Sequence, residues 1–172
     1  MATETHTSLR HGILSDELRE DRGQLIEMLT KAYWMEIETV MSYVANSINP
    51  DGVRAQEIIE SLEEDIQEEL GHARQFGERI KELYGVVPGS LDFTAEQSYL
   101  QPPRQQTDIV HVIKGVIEAE SGAIEHYNQI IEYCEGKDPV TQDMVIAILH
   151  DEEGHRRLFE GFLREYQAEG LA

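Results

Sequence analysis

Apolar residues recur at three- and four-residue spacing along four long segments of the chain, and none of these segments shows sustained two-residue alternation. This spacing places apolar side chains on one face of an α-helix, so it predicts an all-α chain. We predict helices over residues 21–48, 53–84, 107–136 and 139–166. In the first helix the predicted inward face consists of Ile26, Leu29, Tyr33, Ile37, Val40 and Val44.

Residues that favour turns mark the predicted helix ends. The segment NPDG at 49–52 separates the first two helices, and Gly85 is predicted to be the C′ residue just past the second. The third helix is expected to stop at Gly136. Asp138 as N-cap, followed by Pro139 at the first helical position, is expected to start the fourth.

Between the second and third helices the periodic pattern is lost over residues 85–106, which are rich in Pro, Gly and Gln. One short helix is expected at 94–100. Two short connections and one long one predict an antiparallel four-helix bundle with a crossover between helices 2 and 3. We therefore predict a flexible N-terminal tail at 1–20, the bundle at 21–167 and a C-terminal tail at 168–172.

The composition fits one domain and excludes several functions. The chain has 172 residues, 40% of them hydrophobic, and a formal net charge of −20. This charge argues against nucleic-acid and membrane partners, and the segment 1–12 holds one Arg and no Lys. Cys134 is the only cysteine, which suits a reducing compartment. With no apolar leader and no run long enough to span a membrane, we expect a cytoplasmic protein.

The sequence Glu-x-Gly-His occurs twice, once in the second and once in the fourth predicted helix. Glu69 and His72 form the first copy, and Glu152 and His155 form the second, at an offset of 83 residues. One Glu-x-x-His motif in so acidic a chain has little weight. Two copies at corresponding places in two helical hairpins indicate a duplicated site.

The other two predicted helices carry a second repeat. Glu36 precedes Tyr43 by seven residues, and Glu120 precedes Tyr127 by seven, at an offset of 84. Glu36 and Glu120 interrupt apolar faces, so both are expected to point into the core. We therefore predict that the core brings together Glu36, Glu69, His72, Glu120, Glu152 and His155.

Four carboxylates in an apolar interior need a positive counter-charge, because an isolated buried carboxylate would take up a proton. Two divalent metal ions would balance four glutamates, with two neutral imidazoles completing the ligand set. Carboxylate and imidazole ligands together suit iron or manganese, and zinc is also possible. Two metal ions about 3.5–4 Å apart are expected.

With these motifs, residues 21–166 resemble the ferritin-like superfamily, and within it the bacterioferritin and Dps-like branch. The resemblance implies two iron ions per subunit that oxidise Fe(II) with O2 or H2O2, for iron storage, detoxification and protection against oxidative stress. It also implies that Glu36 and Glu120 are terminal ligands, that Glu69 and Glu152 bridge, and that Tyr43 and Tyr127 lie behind the ligands. A bacterioferritin haem requires Met where this chain has Leu70, so no haem is expected.

Three functions fit these observations. The first is a ferroxidase that stores iron, which requires a homo-oligomer enclosing a cavity; we expect a dodecamer, with a dimer as the next possibility. The second is a di-iron or di-manganese peroxidase of the rubrerythrin type, a catalase or an oxidase, without mineral storage. The third is a helical interaction module with a structural metal.

Several other polar residues are expected to lie away from the metal ions. We predict that Glu38 and Glu118 are solvated or stand behind the ligands. His111, His126 and His150 have no counterpart in the other half, so we expect them at surface or edge positions. The acidic run Glu60, Glu63, Glu64 and Glu68 is interpreted as an exposed face.

Overall fold

The computed structural model describes residues 12–172, and in this range it contains four α-helices and no β-strand. The helices are α1 (Arg19–Ile48), α2 (Gln56–Glu82), α3 (Ile109–Cys134) and α4 (Pro139–Ala168). α1 packs mainly against α2, and α3 packs mainly against α4. The predicted all-α bundle with one long crossover is confirmed.

The N-terminal segment differs from the predicted tail in its described part. Residues 1–11 lie outside the described residues. They include most of the segment 1–12, whose few basic residues argue against DNA binding. Two 3₁₀ turns, Gly12–Leu14 and Asp16–Leu18, precede α1. Ile13 is buried, and the Arg22 guanidinium donates hydrogen bonds to the carbonyls of Ile13 and Ser15, at 3.1 and 3.0 Å. These contacts hold the turns against the bundle.

The predicted start of α4 is confirmed, while α3 begins at Ile109, two residues after the predicted start; both helices have a capping aspartate. The Asp108 carboxylate accepts a hydrogen bond from the backbone N–H of His111 at 3.1 Å. The Asp138 carboxylate accepts from the N–H groups of Val140 and Thr141, each at 3.2 Å. Such caps satisfy N–H groups that have no partner inside the helix.

The end of α2 corrects the role assigned to Gly85. Tyr84, not Gly85, adopts the left-handed conformation, with φ 67°. The Gly85 N–H then donates to the Ile80 carbonyl at 2.9 Å, so Gly85 is the next residue, C″. A Cβ on Gly85 would lie 2.8 Å from the Ile80 side chain. Glycine is therefore required there by close approach to α2.

The crossover contains two 3₁₀ turns, Ser90–Asp92 and Ser98–Leu100, where one short helix was predicted at 94–100. Its second turn is fixed to α1 by polar side chains. The Glu38 carboxylate accepts hydrogen bonds from the N–H groups of Glu96 and Gln97 at 2.8–2.9 Å. Glu38 was expected to be solvated or to stand behind the ligands; it is 5% exposed, so it is not solvated, and its carboxylate binds the crossover.

The crossover also lies close against α3. A Cβ on Gly115 would stand 2.8 Å from the Tyr99 carbonyl oxygen, so a larger residue would push the crossover away. On the α1 side, the Asn46 amide donates to the Leu100 carbonyl at 2.8 Å. The crossover is thus held on the side of the bundle formed by α1 and α3.

The inward face of α1 differs from the predicted one. Leu29 is buried as expected, but Val44 is 41% exposed. The other predicted residues are only partly buried, and the core side chains are instead Leu25, Leu29, Ala32, Glu36 and Tyr43. α1 carries apolar residues on more than one face, so spacing alone could not select the buried one.

The core consists of two apolar clusters. The first contains Leu25 and Leu29 of α1 with Phe76 and Ile80 of α2. The second contains residues nearer the other end of the bundle, among them Tyr43, Leu62, Val116 and Phe159. The predicted glutamates and histidines lie between these clusters along the helices. Among residues 12–172, no helix is long and apolar enough to cross a membrane.

Candidate metal centre

The six side chains predicted to meet in the core are brought together by the fold. In residues 12–172 they form two overlapping groups, each with ligand atoms within 4.8 Å of one another. The first group is Glu36, Glu69, His72 and Glu152, and the second is Glu69, Glu120, Glu152 and His155. Because Glu69 and Glu152 belong to both groups, they occupy the positions that bridging ligands would need.

Both imidazoles turn the same nitrogen towards the glutamates. His72 Nδ1 lies 3.0 Å from a Glu152 oxygen and 3.4 Å from a Glu69 oxygen. His155 Nδ1 lies 3.4 Å from Glu69 and 3.7 Å from Glu152. In each histidine, Nδ1 is therefore the atom placed to bind a metal, and Nε2 points away from the centre.

The two tyrosines contact the glutamates crosswise. The Tyr43 hydroxyl on α1 donates to Glu120 on α3, and the Tyr127 hydroxyl on α3 donates to Glu36 on α1. Both tyrosines are fully buried. Each hydroxyl satisfies one carboxylate oxygen and leaves the other free to turn towards the centre.

The outer nitrogens of the histidines contact two carboxylates that sequence reasoning did not assign to the site. His72 Nε2 lies 3.3 Å from Asp151, and His155 Nε2 lies 2.9 Å from Glu68. Asp151 and Glu68 are related by the same offset of 83 residues as the ligands. An acidic residue directly before each Glu-x-Gly-His motif was the available signal.

Asp65 is a further carboxylate that the sequence reasoning missed. It is 5% exposed and places one oxygen 3.7 Å from His155 Nε2. Burial raises the pKa of Asp65 to about 7, against a lowering effect of His155. The neighbouring residues Glu60, Glu63, Glu64 and Glu68 are exposed, as predicted for this acidic run.

The four central glutamates divide into two pairs by pKa. Burial raises the pKa values of Glu36 and Glu120 well above their ordinary range, and the nearby charges of Glu69 and Glu152 raise them further. Burial also acts on Glu69 and Glu152, but attraction to His72 and His155 outweighs it and lowers their pKa values. Without metal, the surroundings therefore favour the protonated forms of Glu36 and Glu120 and the ionised forms of Glu69 and Glu152.

The ionised glutamates raise the pKa values of both histidines. Burial alone would lower the pKa of His72, yet its contacts with Glu152 and Glu69 raise it to about 10. Contacts with the same two glutamates raise the pKa of His155 well above its ordinary value, again against the effect of burial. Both Nδ1 atoms thus face the carboxylates of Glu69 and Glu152, which favours the protonated form of each ring when no metal is bound.

The donor atoms at the centre fit a pair of metal ions. Both oxygens of Glu69, one oxygen of Glu152 and the Nδ1 atoms of both histidines are buried and have no hydrogen-bond partner within residues 12–172. Buried polar atoms are rarely left without partners, because desolvation costs about 1–3 kcal/mol per group. Coordination of two cations would satisfy all five atoms at once.

The remaining predicted polar residues lie outside this group. Glu118, His111 and His150 are exposed, as expected. The prediction for His126 is wrong, because it is buried and its Nε2 lies 2.9 Å from the Met28 carbonyl oxygen, which can only accept. A cavity of about 560 Å³ between α1, α3 and the crossover is lined by Glu38 and His126, but by none of the six central side chains.

The fold is a four-helix bundle with a buried cluster of carboxylates and imidazoles that could hold metal. The chain belongs to the ferritin-like family, whose domain model matches residues 26–168. It is 34% identical over 148 residues to a DNA protection during starvation protein of Pyrococcus furiosus, covering 83% of this chain and 78% of that protein. It is 28% identical over 144 residues to a bacterioferritin of Desulfovibrio desulfuricans, covering 83% and 76%.

Solved structures share the fold. A structure of the Desulfovibrio desulfuricans bacterioferritin, described with a diiron site, matches with a TM-score of 0.75 at 24% identity, over 87% of this chain and 84% of that one. A dodecameric thioferritin from Bacteroides fragilis matches with a TM-score of 0.76 at 22% identity, over 98% and 97%. At these identities the structural similarity establishes the fold.

Proposed function

We propose that this chain is a di-iron ferroxidase that oxidises Fe(II) with O2 or H2O2, and that it serves iron storage or detoxification and protection against oxidative stress. The supporting observation is the set of buried donor atoms without partners, contributed by two groups of side chains that share Glu69 and Glu152. Membership of the ferritin-like family points to the same function.

Each side chain has a definite task in this proposal. Glu36 and His72 would bind one iron, Glu120 and His155 would bind the other, and Glu69 and Glu152 would bridge. The bound pair would supply two electrons to the oxidant, one from each ion. Tyr43 and Tyr127 orient the terminal carboxylates, while Glu68 and Asp151 hold the outer N–H groups of the histidines.

To test this function, excess Fe(II) is added to the purified protein in air, and both its oxidation and the iron retained are measured. We expect rapid oxidation and retention of far more iron than two ions per chain. Two ions per chain with turnover of peroxide would instead indicate a rubrerythrin-like peroxidase or another di-metal enzyme. Absence of oxidation would contradict both and favour a structural metal.

Storage also requires assembly, because a chain of 19.6 kDa has no room for a mineral core. We propose a homo-oligomer, with a dodecamer favoured and a dimer next. The relative from Bacteroides fragilis, described as dodecameric, supports the larger assembly. A cytoplasmic location is part of the same proposal. Light scattering of the metal-free and iron-loaded protein distinguishes a dodecamer from a dimer.

A further inference from the structure

The two halves of the metal centre differ by one buried carboxylate. The offset of 83 residues that relates Glu69 to Glu152 also relates Asp65 to Ile148. Asp65 is 5% exposed and lies four residues before Glu69 on α2, while α4 has an apolar, buried side chain at the equivalent place. The 83-residue offset that pairs identical ligands therefore pairs different residues at this position.

This difference changes the surroundings of the outer histidine nitrogens. His155 Nε2 lies 2.9 Å from Glu68 and 3.7 Å from Asp65. Among the described residues, Asp151 is the only carboxylate within 4 Å of His72 Nε2, at 3.3 Å. The Glu68 and Asp151 side chains are 57% and 47% exposed, whereas that of Asp65 is 7% exposed. Solvent screens the first two charges far more than the third.

The second oxygen of Asp65 is also unusual. Oδ2 is buried and has no hydrogen-bond partner within residues 12–172. A carboxylate in this position costs free energy unless positive charge lies close to it. A divalent ion bound at Nδ1 of His155 would place such a charge on the far side of the imidazole ring. In the described part of the chain, the other metal position has no equivalent buried carboxylate.

From this asymmetry, and resting on the proposed di-metal function, we propose that Asp65 makes the two metal positions unequal in affinity. The position formed by Glu120 and His155 binds a divalent ion first, and the position formed by Glu36 and His72 binds the second. Asp65 is a positioning residue that acts through His155. It acts by charge, because 3.7 Å is beyond hydrogen-bond distance, and a buried negative charge behind a metal-bound imidazole increases the basicity of the ring.

Anaerobic titration of the metal-free protein with Co(II) alone measures this inequality. Calorimetry and the visible absorption of bound Co(II) should show two steps in the unmodified protein. Asp65→Asn keeps the size of the side chain and removes its charge, so it should weaken the first step by about 10–100-fold and bring the two steps together. Asp151→Asn, the matched change on the other half, should weaken the second step and separate them further.

A crystal grown with one Co(II) per chain gives an independent test on the unmodified protein. We expect the anomalous peak beside His155 Nδ1. A peak beside His72, equal occupancy of both positions, or unchanged steps in Asp65→Asn would overturn the inference while leaving the di-metal centre in place. Failure to bind Co(II) at all would instead overturn the proposed function together with the inference.

Discussion

At the residue scale, four glutamates of the same chemistry are placed in two electrostatic environments. Burial and the charges of nearby carboxylates raise the pKa values of Glu36 and Glu120 well above their ordinary range, although each accepts a tyrosine hydrogen bond that lowers its pKa. Glu69 and Glu152 lie between the two imidazoles and stay ionised. Before metal binds, protons are therefore favoured on the first pair of glutamates and disfavoured on the second.

Metal binding should release these protons. Up to two protons leave the carboxyl groups of Glu36 and Glu120, and two more leave His72 and His155, because ligands bind metal in their deprotonated forms. All four groups have raised pKa values, so affinity for divalent ions should increase as pH rises through the neutral range. Calorimetry in buffers of different ionisation enthalpy counts the protons; release of none would contradict the assigned protonation.

Glu120→Ala should abolish rapid Fe(II) oxidation, with a loss of more than about 100-fold, because it removes a proposed terminal ligand. Glu118→Ala is the matched control, since it deletes an exposed carboxylate from the same helix two residues away. Stopped-flow absorbance under air compares the two variants. Equal losses would mean that the inner face of α3 is wrongly assigned.

At the element scale, α2 is joined to the start of α4 by a buried ion pair. Arg79 donates to both Asp138 oxygens at 2.9–3.0 Å and to the Thr141 hydroxyl at 2.7 Å. Asp138 also caps α4, so one carboxylate fixes the helix start and its contact with α2. Burial raises the pKa of Asp138, but its hydrogen bonds with Thr141 and Arg79 lower it overall.

Asp138→Ala should lower the free energy of unfolding by about 2–4 kcal/mol, because Arg79 loses its buried partner and keeps only the exposed Glu82 carboxylate, at 2.8 Å. Asp108→Ala also removes an N-cap, but an exposed one, and should cost about 1 kcal/mol. Urea unfolding of both variants at neutral pH gives the comparison. Similar losses would show that capping alone explains the role of Asp138.

The same carboxylate sets a pH dependence. The pKa of Asp138 in the folded state is below its ordinary value of 3.8. Ionised Asp138 therefore contributes fully to the free energy of unfolding above pH 3.8, and this contribution is lost as pH falls through the folded-state pKa. The stability difference between the unmodified protein and Asp138→Ala should therefore shrink below about pH 4.

At the scale of the whole molecule, assembly must overcome a formal charge of −20 on each chain. Apolar side chains are exposed in the crossover and near the junction of α1 and α2, where Leu91 is 99%, Val86 86%, Val53 98% and Ile48 75% exposed. Burial of such a side chain contributes about 1.5–3 kcal/mol. Salt should tighten the assembly, because it screens repulsion between copies.

Leu91→Glu and Ile48→Glu should each shift the mass in solution towards the single chain of 19.6 kDa. Gln105→Glu adds the same charge at an exposed position of the crossover without removing an apolar group, so it should leave the assembly intact. Light scattering at low and high salt records the masses. An unchanged assembly in both apolar variants would place the contacts between copies elsewhere.

DNA binding is not expected, despite the name of the relative from Pyrococcus furiosus. The chain has 14 basic residues against 34 acidic ones, and a polyanion binds through clustered cations. A gel-shift assay at physiological ionic strength checks this expectation. A shift that disappears at higher salt would contradict it.

Much of the fold and of the candidate site could be predicted because both depend on local signals. Helical spacing, the Asp138 cap and the Pro- and Gly-rich crossover each depend on residues within a few positions of the feature they produce. The repeat added a long-range constraint, since two motifs related by one offset must occupy equivalent places. Misses occurred where two distant segments meet, as with Glu38 beneath the crossover and His126 beside Met28.

The sequence by itself determined the helices, their order and the six side chains that converge, because periodicity and repetition are properties of the chain alone. Tertiary structure decided which face of α1 is buried, which histidine nitrogen points inward, and that Asp65 stands behind only one of the two histidines. These features depend on distances between helices that are remote in sequence, and spacing along one helix carries no information about such distances.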